Sequence, residues 1–296
     1  DHYFSRVEKA LEFAPRPYHL VVLSDHGQSE GPTFEAAYGM DLKKLVQDLV
    51  KGDEEVFASL ETNEMWDNVN GFLTESVNAD SRTASVARTM LRSKTRPDGT
   101  VNVGPDKISE EQKQAQAANI IVMGSGCTGL INFRYAPQRL SYERIQGTYP
   151  DLIPGLVSHT GIGWVLVRSD ENGDMVIGKK GIYFLDKNTF ERENPLALYS
   201  PNAVKLLQRE TSFEHCPDIL VNTTYDPVTE ELCGFENQAS HHGGLGGPQN
   251  HAFILHPVEL KAPDEPIVGA EEVYKVLRGW RDATEGKSQE TTLAVV

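Results

Sequence analysis

Three short apolar runs constrain this chain more than anything else in it. His19-Leu20-Val21-Val22-Leu23-Ser24, Asn119-Ile120-Ile121-Val122-Met123 and Asp218-Ile219-Leu220-Val221-Asn222 are rich in β-branched side chains and carry almost no polar interruption. Runs this short read as strands, and their lack of alternation reads as burial on both faces, as in a sheet covered by helices on each side. Between them, Leu42, Leu45, Val46 and Leu49 recur at helix spacing within a helix-patterned stretch reaching about Leu91. Residues 140–145, 151–157, 201–208 and 269–280 also read as helices. The pattern predicts an α/β fold with a mostly parallel central sheet flanked by helices. Residues 163–168 and 175–185 alternate around Glu171-Asn172-Gly173-Asp174, which predicts a β-hairpin, expected as a peripheral elaboration of that sheet. Residues 253–256 predict one more short strand.

With 296 residues, 39% of them hydrophobic, the chain can bury a substantial core. It is expected to form one domain over 1–296, with the polar stretch 93–116 as an exposed insertion or hinge. The formal charge of -15 excludes a duplex nucleic-acid or anionic-membrane surface, since phosphates would be repelled. Cys127, Cys216 and Cys233 stand apart, giving neither a paired-cysteine zinc module nor a disulfide framework. The longest apolar run, 120–131, is too short to cross a bilayer core of roughly 30 Å. No basic segment precedes an apolar stretch near Asp1, so no signal peptide is visible, and the missing initiator Met predicts a truncated or processed, soluble chain.

Chemistry concentrates in two places. Ser24-Asp25-His26-Gly27 follows the first apolar run directly, at the kind of strand end where open α/β sheets gather functional residues. A carboxylate and an imidazole side by side on a turn can face one divalent cation, and Gly27 lets the backbone leave sharply. The competing role is structural, with Asp25 capping a turn and His26 packed. The second place is Ser240-His241-His242-Gly243-Gly244-Leu245-Gly246-Gly247, a histidine pair entering a glycine run that permits close backbone approach to a ligand. It could equally be a surface loop. His159, His215, Asp226, His251 and His256 read as ordinary core or surface groups, His159 the least so because it precedes Gly161-Ile162-Gly163. No Gly-x-Ser-x-Gly elbow and no His-Glu-x-x-His is present, which removes the serine-hydrolase and common zinc-protease readings.

The strings VVLSDHGQSEG, SYERI, YPDLIPGLVSHTGIGWVLVRS, PDILVNTTYDPVTEE, SHHGGLGG and GAEEVYKVLRGWR resemble a bacterial group of the alkaline phosphatase superfamily, related to type I phosphodiesterase/nucleotide pyrophosphatases. The likeness covers nearly the whole chain but only the C-terminal part of such proteins, whose longer members carry an N-terminal holin-like membrane segment. It implies an alkaline phosphatase-like catalytic domain, incomplete at its N-terminus, and two divalent cations, commonly zinc, clamping the attacking and leaving oxygens. By resemblance Asp25 and His26 bind one cation and the histidine before the paired glycines binds the other. His241 is extra relative to the usual Ser-His-Gly-Gly pattern; His242 is favoured because it directly precedes Gly243-Gly244. The resemblance also places the Thr or Ser nucleophile and further ligands upstream of residue 1, so this chain alone is expected to be inactive or nearly so. It implies a phosphodiesterase ahead of a monoesterase, acting on a small-molecule or cell-envelope phosphodiester. Membrane association would come only through a segment outside this chain. A sulfatase or phosphomutase of the same superfamily, or a noncatalytic degenerate binding domain, are the alternatives.

Overall fold

The computed structural model describes residues 2–52, 54–59, 73–74, 77–78, 91–95, 99–101 and 118–293. The chain divides into two compact units, Asp1–Asp25 with Ala252–Val296, and His26–His251. Along the first half run α1 (His2–Leu11), β1 (Val22–Leu23), β2 (Ser29–Glu30), α2 (Phe34–Tyr38), α3 (Leu42–Val50), β3 (Val56–Ser59), β4 (Ile120–Ser125) and β5 (Thr128–Phe133). They are followed by α4 (Tyr142–Thr148), α5 (Leu152–Ser158), β6 (Ile162–Ser169), β7 (Gly173–Gly178), β8 (Gly181–Phe184) and β9 (Thr189–Arg192). The chain closes with α6 (Ala203–Thr211), β10 (Ile219–Thr223), β11 (Ser240–His241), β12 (Ile254–Leu255) and α7 (Ala270–Leu293). Most of the expected insertion at 93–116, and most of the helix-patterned stretch between β3 and Leu91, lie outside the described residues.

The larger unit is built on an eight-stranded sheet in the order β3-β4-β5-β10-β6-β7-β8-β9. The expectation of a mostly parallel sheet is corrected: β3 and β4 pair in parallel, and every other neighbouring pair in this sheet is antiparallel. The reason lies in the connections. Only Gly126 and Cys127 join β4 to β5, and only Lys179 and Lys180 join β7 to β8, whereas a parallel pair needs a crossover of a dozen residues or more. The apolar runs signalled two-sided burial, which parallel sheets share with any strand at the centre of a covered sheet.

That covering is visible in the side chains. Val165, Val167, Ile219 and Val221 pack in one cluster with Leu45 and Val46 of α3, Ile145 of α4 and Leu156 of α5. Trp164, Leu166, Leu220 and Val176 pack in a second with Ala203 and Leu207 of α6. Alternate residues of the same strands thus serve opposite faces. Each fully buried Val or Leu contributes roughly 1.5–3 kcal/mol, against about 0–1 kcal/mol for an exposed ion pair such as Lys180–Glu193, so the two clusters hold the sheet. In the segment 163–185 the expected hairpin forms, β6 pairing antiparallel with β7, but its peripheral placement is corrected: both strands lie inside the sheet, β6 beside the fully buried β10. Asp218, just before β10, is nearly buried and accepts from the backbone N–H of Phe133 (2.7 Å) and Leu140 (2.5 Å), tying β5 to the chain leading into α4. Helix starts follow side-chain capping: Asp41 accepts from Lys44 N at 2.7 Å ahead of α3, and Thr33 from Ala36 N at 3.1 Å ahead of α2.

In the smaller unit the run 19–24 does not become a strand buried on both faces. Only Val22 and Leu23 are extended into a strand, they pair antiparallel with β12 alone, and Leu23 is 45% exposed. With a single two-residue partner, β-branched propensity cannot extend the ladder. In this unit Trp280 of α7 donates Nε1–H to the carbonyl of Lys261 (2.7 Å), and its ring lies tilted against His256, centroids 4.7 Å apart. Among the described residues no helix is long and apolar enough to cross a membrane.

Candidate metal centre

His26 opens the larger unit on the segment leading into β2, and its position follows from its neighbours. Gly27 N donates to the carbonyl of Gln249 at 3.0 Å, and a Cβ built on Gly27 would stand 2.1 Å from the carbonyl oxygen of Pro248. Only glycine allows the two backbones to lie this close. His26 Nδ1 is 2.6 Å from the carbonyl oxygen of Gly27. A carbonyl only accepts, so Nδ1 is a ring nitrogen that carries a proton.

His242 follows β11 and is fixed from the opposite side by the β4–β5 turn. Its carbonyl accepts from Cys127 N at 3.0 Å. Gly126, at φ 56, passes so near that a Cβ there would meet the same oxygen at 1.7 Å. The outcome is a face-to-face pair: the rings of His26 and His242 have centroids 3.9 Å apart and planes 15° apart. Both are partly buried.

Beneath the pair lies a polar network that sequence inspection does not find. Asn222, wholly buried at the end of β10, accepts from Leu245 N (2.8 Å) and donates to the carbonyls of Thr223 (2.9 Å) and Leu245 (3.2 Å). Gln249, also buried, accepts from Gly244 N (3.1 Å) and Cys127 Sγ (3.1 Å) and donates to the carbonyl of Gly246 (2.8 Å). Thr128 Oγ1 donates to the carbonyl of Gly243 at 2.8 Å, and the buried carboxylate of Glu236 accepts from Gly126 N at 2.7 Å. The glycine run, expected to approach a ligand, is bonded along its length to the protein itself. A signal for Asn222 was present, an amide ending an otherwise apolar strand; Gln249 and Glu236 gave none.

The remaining predicted residues are placed as follows. His241 is wholly buried in β11, its Nε2 3.2 Å from the carbonyl oxygen of Gly31, its ring against Gly234, and its Nδ1 buried with no hydrogen-bond partner. Asp25 is exposed, is the last residue of the smaller unit, and is joined to His26 by the peptide bond. Burial pushes the Cys127 thiol up to about 11, so at neutral pH it is a thiol rather than a metal-binding thiolate. Asp226 caps its own turn, accepting from Val228 N at 2.8 Å. Among the described residues no group of three or more His, Cys, Asp or Glu side chains is arranged to hold a metal ion.

No protein-family model, curated protein or solved structure matches this chain.

His159 is the outlying histidine with a distinct environment. Its Nδ1 accepts from Gly161 N at 3.1 Å, and its ring lies 5.1 Å from Phe34 and 4.9 Å from Tyr38. Burial holds its imidazole below the ordinary histidine range. The unfolded chain takes up this proton near the ordinary value of about 6.5, before the folded protein does. The stability due to neutral His159 is therefore present above that pH and lost as the pH falls through the lower folded-state value. Acidification from pH 7.5 to 5.5 should lower the melting temperature more in the wild type than in His159→Gln; equal losses in differential scanning calorimetry would contradict this.

Proposed function

We propose that this chain supplies part of a divalent-cation centre to a metal-dependent phosphoester hydrolase, with phosphodiesters ahead of monoesters as substrates. The observation that carries the proposal is the approach of His26 and His242, far apart in sequence, with stacked rings 3.9 Å apart and the His26 tautomer set by the Gly27 carbonyl. Metal-bound histidines commonly donate their other ring N–H to a carbonyl or carboxylate, which orients the ring and raises its basicity. Imidazole pairs suit zinc and related borderline cations. The donors fit such ions in kind, one imidazole to each of two neighbouring cations, because the in-plane lone pairs of nearly parallel rings do not converge on a single ion; each ion's remaining ligands must come from other groups. Asp25, adjacent in sequence to His26, is the proposed carboxylate ligand, and the resemblance to phosphodiesterases supplies the rest of the set, with a Thr or Ser nucleophile, from residues upstream of this chain.

In this proposal His26, His242 and Asp25 would help hold two divalent cations, which when bound would supply stabilisation of negative charge on the attacking and leaving oxygens. The chain's own work is positional. The backbones at His26 and His242 are held in place by Gly27, the β4–β5 turn and the Asn222–Gln249 network. Preorganisation of this kind removes the cost of ordering ligands at the moment of binding. His241, buried and engaged with Gly31, acts as a strut for β11.

The test is hydrolysis of bis(p-nitrophenyl) phosphate by the full-length protein after metal analysis, comparing the wild type with Asp25→Ala and His242→Ala. The proposal expects bound metal and a loss of at least about 100-fold in each variant, in line with removal of a group that stabilises transition-state charge. Full activity in both variants rejects the enzyme assignment, and a metal-free, inactive wild type favours the noncatalytic binding domain.

A further inference from the structure

A second site lies on the other arm of the sheet. A cleft of about 730 Å³ opens around the β7–β8 turn, β9 and the segment that follows it. That volume falls in the range of small-molecule sites, roughly 300–1,000 Å³. His26 and His242 do not line it.

Its chemistry runs against the grain of the chain. The protein carries a formal charge of -15, yet Lys179, Lys180 and Arg192 converge on this cleft. The register explains how: Lys179 and Lys180 form the two-residue turn before β8, and Arg192 pairs with Gly181, the first residue after that turn. Lys180 is paired with Glu193 at 3.3 Å. Among the described residues neither Lys179 nor Arg192 has an ion-pair partner. Arg192 also holds a left-handed backbone, φ 61, a strained conformation that proteins retain where the surroundings fix it. Beside the cations the wall is apolar. Phe190 and Leu198 are 52% and 57% exposed, and Tyr199 and Tyr225 add ring faces. The segment 194–199 is held in shape by its own bonds, with Asn194 Oδ1 accepting from Leu196 N at 2.9 Å and the Asn194 carbonyl from Ala197 N at 3.2 Å.

We infer that this cleft binds a small organic oxyanion, a phosphate or phosphonate group carried on a flat apolar body, with Lys179 and Arg192 on the anion and Phe190 and Leu198 against the body. Unpaired cations beside exposed aromatic and aliphatic surface satisfy both halves of such a ligand at once: charge-assisted hydrogen bonds on one side and removal of apolar area from water on the other. A purely apolar ligand would leave the cations unused, and a bare inorganic anion would leave the wall in water.

The experiment is calorimetric titration of the chain with 1-naphthylphosphonate, which has no ester bond to hydrolyse, alongside 1-naphthol and inorganic phosphate. The inference expects saturable binding of the phosphonate, and binding of 1-naphthol and of phosphate at least about 10-fold weaker. Lys179→Ala and Arg192→Ala should each weaken the phosphonate about 5-fold. Lys205→Ala, a charge-matched change on α6 away from the cleft, should leave it unaltered. All three positions are exposed, so the variants are expected to fold, which melting curves check. Absence of phosphonate binding to the wild type, equal binding of 1-naphthol or of phosphate, or affinities unmoved by Lys179→Ala and Arg192→Ala would each overturn the inference.

Discussion

Asn222→Asp should destabilise the larger unit by about 3–5 kcal/mol while changing almost nothing in side-chain volume. The wild-type amide is wholly buried and uses both ends: its oxygen accepts from Leu245 N, and its nitrogen donates to the carbonyls of Thr223 and Leu245. A carboxylate keeps the first bond and turns the other two into oxygen facing oxygen. Two donors are lost at about 1 kcal/mol each, and a charge is confined without a cation. The introduced carboxyl is best tolerated protonated, so its folded-state pKa is raised above the unfolded one. The penalty is then small below the unfolded carboxylate range and grows as pH rises through it and up to the folded value. Urea unfolding at pH 7 and pH 4 measures both halves. A loss under about 1 kcal/mol at pH 7, or a larger loss at pH 4 than at pH 7, would show that Asn222 does not anchor the glycine loop as described.

His26→Ala and His242→Ala should each lower the affinity of the protein for Zn²⁺ by about 100-fold, since each removes a ligand from an incomplete set. His241→Ala should act differently. It removes a buried ring packed on Gly234 and bonded to Gly31, so its effect is expected first in stability, about 2–4 kcal/mol, and in metal affinity only through unfolding. Calorimetric titration with zinc, set beside melting temperatures, separates the two behaviours. Equal zinc affinity in the wild type and in His242→Ala would remove His242 from the centre.

What could be seen in the sequence, and what could not, follows from the range of the interactions involved. Residues 119–123 and 218–222 announced their strands because burial on both faces is a local pattern, and β10 proved to be the most enclosed strand of the sheet. The same pattern at 19–24 misled, because it records apolar content and not whether partner strands exist on either side; β1 finds only β12. Strand direction was illegible for a similar reason. The decisive facts were the two-residue connections Gly126-Cys127 and Lys179-Lys180. At the candidate centre, His26 and His242 stood out through their glycine neighbours. The glycines turned out to mark close approach of the chain to itself, at the Pro248 and His242 carbonyls. Asn222, Gln249 and Glu236 act through contacts across the fold, and no spacing rule reaches them. The choice between His241 and His242, open in the sequence, acquires a physical difference here: one ring is sealed in β11, the other faces His26.

The most direct test of the account is long-range ¹H–¹⁵N spectroscopy of the imidazole nitrogens during zinc titration. The account predicts that His26 keeps its proton on Nδ1 throughout, and that its Nε2 and one ring nitrogen of His242 shift together to metal-bound values at the same zinc concentration. Zinc-dependent shifts at His241 with His26 and His242 unmoved, or no shift at any of the three, would contradict it.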